Sequence, residues 1–365
     1  LLLALQLAAP AAARAVAQDS IPFARLIEQL SESGGYFDTD NLISNEASYL
    51  HVAGTVRAMA VKGGAYLGVG PDQNFSYITL SRPAIAFILD LRRDNQLLHL
   101  LFKSIFETSP TRLSFLASLF GRPAPAQTTA WRTRPLADLL AYIDQQPADT
   151  LRHARSHAAL VERIRGYGPR LTPTDLATLR RFHDEFVQAG LDLRFTSYGR
   201  GPRSYYPTIR QLYLEHDLAG RPASFLSREE DFQFLRSLQL RGRVIPVVGD
   251  FGGRRALEGI GRFLGARGLA VSVFYTSNVE FYLFRQGTFW RYVENVRSLP
   301  WNNPGLMVRS YFGGVMGQAH PRAIPGYASA QLVQTAQSFL RLTAEPESVS
   351  YWDVVTVGSL ELERK

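Results

Sequence analysis

Ala65-Tyr66-Leu67-Gly68-Val69-Gly70-Pro71-Asp72, followed after a helix-capable stretch (residues 73–81) by the run AIAFIL at residues 84–89 and then Asp90, decides the fold reading. Each run is short, continuously apolar and closed by turn-forming residues, as a parallel strand buried on both faces must be. Two such strands joined by a crossover make a βαβ unit. The same grammar returns later. Residues 244–248 (VIPVV) end in Gly249-Asp250, residues 269–275 end in Thr276-Ser277-Asn278, and residues 306–311 form a further apolar run. A helix is expected at 255–264, another at about 329–340, and a final strand at 351–357.

The flanking segments read as helical. Phe23, Leu26, Ile27 and Leu30 share one face of a predicted helix over 22–33, stopped by Ser33-Gly34-Gly35. A longer helix is expected over 38–61. Between the two α/β stretches, helical spacing covers 95–120, 136–190 (with a break near Gly166-Tyr167-Gly168-Pro169) and 228–240, with one possible strand at 191–196. The predicted fold class is α/β: a Rossmann-like, mostly parallel sheet split by a large, mainly helical insertion. The expected organisation is a signal peptide at 1–17, N-terminal helices and the first βαβ half at 18–94, the insertion at 95–240, and the second half at 241–365.

Composition narrows the function classes. With 46% hydrophobic and 20% charged residues, the chain has ample material for a buried core and is unlike a disordered polymer. Lys+Arg exceed Asp+Glu by 40 to 32, but the basic residues are scattered and nearly all Arg. That is the pattern of a solvated basic surface, and no nucleic-acid partner is expected. The absence of Cys removes disulfides, thiolate metal sites and Cys nucleophiles.

The run LLLALQLAAPAAA at 1–13, then Arg14 and Ala15-Val16-Ala17, has the apolar segment and A-x-A cleavage pattern of a secretory signal. It is shorter than the roughly 20 apolar residues of a membrane anchor. An exported protein, periplasmic or extracellular, with no membrane span in its mature part is expected. A mis-assigned N-terminal segment would instead place it in the cytoplasm.

Chemistry-bearing residues gather at strand ends. Gly68-x-Gly70 permits a tight turn and close backbone approach to a ligand, and Asp90, twenty residues beyond Gly70, stands where a carboxylate can accept from a ribose diol. The third glycine of a dinucleotide fingerprint is missing; Pro71-Asp72 follows instead. The competing reading is a plain βα turn with a surface Asp. Gly249-Asp250 and Ser277-Asn278-Val279-Glu280 have the same address, with a helix N-cap as the alternative role for Asp250. His153 and His157 share a helix face, but neighbouring Arg152 and Arg155 disfavour a cation, so no metal is expected. Arg200, Arg203, Tyr205, Tyr206 and Arg210 could grip an anion or simply pack as a surface loop.

The strings YLGVGPDQNFSYI (66–78), FILDLRRDN (87–95), IPVVGD (245–250) and FYTSNVEFYL (274–283) resemble an uncharacterised bacterial family whose members often carry signal peptides. More distantly, their order is similar to class I S-adenosylmethionine-dependent methyltransferases. That resemblance implies a methyltransferase-type sheet and S-adenosylmethionine as cofactor. Gly68, Gly70 and Asp72 would form the loop under its methionine part. Asp90 would be the ribose acid, Gly249-Asp250 the adenine side and Ser277 part of the catalytic loop, with Asn278 or Glu280 facing the acceptor. Export would separate such an enzyme from its cytoplasmic methyl donor. Two other classes therefore stand beside methyl transfer: a non-catalytic exported protein binding a small ligand or partner on a degenerate Rossmann-like scaffold, and another group-transfer enzyme using the same strand ends.

Overall fold

The computed structural model describes residues 21–39, 41–59, 61–198 and 203–364; the signal-like segment and Arg200 lie outside them. Six strands form one sheet in the order β3-β2-β1-β4-β5-β6: β1 Ala65–Gly68, β2 Ile85–Asp90, β3 Val244–Val248, β4 Val271–Ser277, β5 Trp301–Tyr311 and β6 Ala330–Thr335. β1 to β5 run parallel to one another, and β6 pairs antiparallel with β5 on the edge. This is a Rossmann-like α/β sheet. β1 to β3 are buried along their whole length, so the apolar runs did report two covered faces.

Helices cover the sheet in two mutually packed groups. One contains Gln73–Ser81, Arg93–Thr108 and Glu229–Leu240; the other contains Phe23–Leu30, Ala256–Gly265 and Phe289–Ser298. β2 and β3 are neighbours although about 150 residues separate them, and that connection is helical: Arg93–Thr108, Arg112–Leu119, Leu136–Gln145, Thr150–Gly166, Pro173–Ala189, Ile209–Leu214 and Glu229–Leu240. Its first helix packs on β2 and β3, and its last packs on the first. No helix among the described residues is long and apolar enough to cross a membrane.

Four expectations fail. Among the described residues of 38–61 the helix is the short Ala53–Ala58, because Ser and Asn residues turn the backbone before it. Residues 191–196 are a 3-10 turn, Gly190–Asp192, and an isolated bridge from Arg194 to Thr208 rather than a strand. Residues 329–340 are β6 followed by the helix Ala336–Leu342, since Ala330–Thr335 pairs with β5 along its length. The expected last strand is the helix Tyr351–Thr356, opened by a capping box between Ser350 and Asp353. Helices at Val279–Arg285 and Phe289–Ser298 had no counterpart in the sequence reading.

Candidate functional site

Strand order reverses between β1 and β4, since β2 and β3 lie on one side of β1 while β4 and β5 lie on the other. Open α/β sheets bind ligands in the crevice outside the strand carboxyl ends at such a switch point. A cleft of about 190 Å³ lies there, and Gly70, Asp90, Gly249, Asp250, Ser277 and Asn278 all line it. Four loops distant in sequence thus meet because the strands before them lie side by side and point the same way.

The first turn is built from inside. Asn74 is fully buried, and its Nδ2 donates to the carbonyls of Val69 (2.9 Å), Gly70 (3.1 Å) and Pro71 (2.7 Å), while its Oδ1 accepts from Tyr66 (2.7 Å). The two glycines serve different needs. A Cβ on Gly68 would fall 2.0 Å from Asn74 Oδ1, so Gly68 makes room for the clamp and does not line the cleft. Gly70 has φ +83°, left-handed backbone that favours glycine, and does line it. Asp72 is a correction: it is buried behind the turn rather than facing the cleft. Burial pushes its pKa up to about 6, with the Tyr213 hydroxyl opposing the shift.

Asp90 reaches the cleft but not as an unencumbered acceptor. Its Oδ1 accepts from the backbone N–H (2.9 Å) and Nε (3.2 Å) of Arg92, and its Oδ2 accepts from Arg92 Nη2 (3.1 Å). Neither residue is a surface group. The acceptor capacity that remains for a ligand lies chiefly on Oδ2.

Asp250 is not the cap of the following helix. Its Oδ1 accepts from Gly252 N–H (2.8 Å), and the helix Ala256–Gly265 starts after Arg255 with no side-chain cap. Behind it, Glu32 Oε1 accepts from the Asp250 N–H (3.0 Å), and burial raises the Glu32 pKa. A Cβ on Gly249 would come 2.4 Å from that of Ala256, so this glycine answers to packing as well as to its place on the cleft.

At the end of β4, Ser277 has φ +53°, uncommon for a residue with a side chain and a form of strain concentrated at functional sites. Its hydroxyl donates to Glu46, a residue that nothing in the local sequence singles out. Glu46 lines the cleft and is 1% exposed; it also accepts from Tyr275 (2.7 Å), Gln331 (3.0 Å) and Ser310. Among the described residues neither Glu46 nor Asp250 has an ion-pair partner. Glu280 is the second correction. It lies behind the cleft wall, 1% exposed, where Arg309 Nε donates to its Oε2 (2.6 Å) and Tyr292 to its Oε1 (3.1 Å), so it faces no acceptor.

Arg203, Tyr205 and Tyr206 reach the rim, whereas Arg210 pairs with Asp144 away from it. His153, His157 and His183 cluster between two helices of the β2–β3 connection, and no group of three His, Asp or Glu suited to a metal occurs among the described residues.

Residues 42–167 and 174–357 match the family described as Domain of unknown function (DUF7790). The chain belongs to that family. The match takes in all six strands and every cleft-lining residue named above, so the family's shared region includes the cleft. No match was found among curated proteins.

Proposed function

We propose that this family member binds a nucleoside-bearing small molecule in the switch-point cleft, with S-adenosylmethionine as the specific ligand, and transfers its methyl group to an acceptor entering beside Ser277 and Asn278. The observation that supports this most is the meeting of Gly70, Asp90, Asp250 and Ser277 on one cleft at the sheet's switch point. The fit is good in three places. Gly70 lets the backbone approach a ligand, and Asp250 offers a carboxylate without a cation. Gln73, at the start of the helix after the glycine turn, lines the cleft with a buried amide oxygen that has no partner among the described residues.

Asp250 would accept from the adenine end, and Asp90, oriented by Arg92, from the ribose through Oδ2. The ligand would supply an electrophilic methyl group on a sulfonium. The chain's own task is alignment: holding the acceptor atom in line with that group while the cleft walls exclude water. Ser277 and Asn278 stand at the rim where this positioning is needed.

Calorimetry tests the reading. S-adenosylmethionine and its demethylated product should both give heat, and Asp250→Asn should weaken both. Silence up to millimolar ligand removes it. A second reading, an exported ligand-binding protein without catalysis, is favoured by the engagement of Asp90 with Arg92. It predicts binding without turnover, and a mature N-terminus near residue 18 by mass analysis.

A further inference from the structure

We infer that the part of the cleft over the ends of β4, β5 and β6 recognises an organic cation, a protonated amine on an apolar body. The inference rests on the cleft being a ligand site, as proposed above, but not on which nucleoside it holds. For the methyl-transfer reading it names the acceptor class: the ammonium gives one proton to Glu46, the freed nitrogen lone pair takes the methyl group, and the S–C bond breaks to leave the neutral thioether.

The case starts at Glu46. All four described hydrogen-bond partners of its carboxylate are neutral: Tyr275, Ser310 and Gln331 at Oε2, and Ser277 at Oε1. These donors orient a carboxylate and replace its water, but none offsets its charge. Three donors saturate Oε2, so the side open to one more is Oε1, next to Ser277 on the cleft wall.

Gln73 extends the pattern. It is 6% exposed, and its Nε2 donates to the Tyr275 hydroxyl (3.3 Å). Because that hydroxyl spends its proton on Glu46, it can only accept from Gln73, which fixes the amide orientation. Gln73 Oε1 is thereby left as a buried acceptor with no partner among the described residues. A carboxylate with no cation beside it and an amide oxygen with no donor call for N–H groups and positive charge. A phosphate or carboxylate would meet like charge at Glu46; of the two described guanidiniums on the cleft, Arg92 is held by Asp90, and Arg203 stands at the rim against the Tyr205 ring.

The walls fit the same ligand. Phe312 follows β5 on the rim, and Tyr282 stands edge-on to Phe37 (centroids 5.0 Å apart), all three lining the cleft. Aromatic rings lining the same cleft as a buried carboxylate favour a cation with an apolar body over a bare metal ion.

Three probes of nearly equal shape test this by calorimetry on the full chain: phenethylammonium, 2-phenylethanol and 3-phenylpropanoate. The amine should bind on the order of tenfold or more tighter than the alcohol, with the acid weakest. Glu46→Gln should erase the preference of amine over alcohol, and Gln73→Met should reduce it. If Glu46→Gln does not fold, the probe series on the unaltered chain and Gln73→Met still decide. Equal binding of amine and alcohol, no binding of any probe, or a preference that survives Glu46→Gln overturns the inference and leaves Glu46 as a clamp between strand ends. S-adenosylmethionine is titrated separately. An amine preference with no response to it would sink methyl transfer and keep the cation site, and the reverse pattern would do the opposite.

Discussion

Arg92 wraps the carboxylate of Asp90, two residues before it, with its backbone N–H, Nε and Nη2 all within 3.2 Å, and then passes Nη1 to the carbonyl of Thr39 at 2.9 Å. The end of β2 is thereby tied to the segment before β1. Removing one member strands the other in a poorly solvated place. Arg92→Ala or Asp90→Ala should each cost about 3 kcal/mol or more in urea unfolding. Asp90→Asn keeps shape and part of the hydrogen bonding and should cost less, which makes it the better variant for ligand titrations. If Asp90→Ala unfolds at the same urea concentration as the parent, the pair carries no such weight.

Glu280 and Arg309 make a second buried pair, about 1% exposed on each side, linking β5 to the helix after β4. Glu280→Ala should cost about 3–5 kcal/mol by leaving the guanidinium uncompensated. Ligand affinity in the folded fraction should not change, because neither side chain lines the cleft. A Glu280→Ala chain of full stability but altered ligand binding would return this residue to the site.

The two glycines of the first turn should respond differently. Gly70→Ala should cost about 1–2 kcal/mol for left-handed backbone, and its Cβ, 3.1 Å from Gln73 Nε2, asks that side chain to shift slightly. Gly68→Ala drives a methyl group into Asn74 Oδ1 and the Tyr66 hydroxyl and should cost more. Adding Asn74→Ala removes the clamp and the nearest part of the clash, leaving the Tyr66 ring to shift, so the double variant should be more stable than additivity allows. Strict additivity in a double-mutant cycle would contradict the packing described here.

Acid should destabilise the protein through its buried histidines. Burial lowers the pKa of His183 to about 3, and of His51, His99 and His157 to about 4, against an unperturbed 6.5. Below pH 6.5 the unfolded chain binds protons that the folded chain refuses. These groups cost nothing above that pH, and their penalty grows as pH falls towards 4. Asp72 works the other way: with its pKa raised to about 6, it is most favourable to folding in its protonated form. Glu32 and Glu215, also raised by burial, act in the same sense as Asp72, but five lowered histidines, His320 included, outweigh three carboxyls, so the urea midpoint should fall between pH 7 and 4. His183→Asn should flatten that fall. A midpoint that rises over the same range would show that these histidines titrate normally.

How much of this was legible beforehand differed between strands and tail. Val244–Val248 and Ile85–Asp90 are apolar runs between turn residues, a pattern with few other uses in a chain this rich in helical spacing. Ala330–Thr335 carries no such mark, since a six-residue stretch mixing Gln with Leu and Val fits a helix equally well until β5 supplies its ladder. Tyr351–Thr356 looked like a strand through its aromatic and β-branched residues. The Ser350-x-x-Asp353 capping box was the signal that could have corrected it.

The sequence alone determined the alternation of buried strands and covering helices, and with it the placing of polar residues at strand ends, because burial on both faces and turn chemistry act over neighbouring residues. Tertiary structure alone decided which of those polar residues are available. Asp90 became a partner of Arg92 and Glu280 of Arg309, while Glu46 entered the cleft through partners 229 to 285 residues later in the chain. Charge compensation and hydrogen-bond satisfaction depend on distances in space, and no local pattern encodes a distance between residues so far apart.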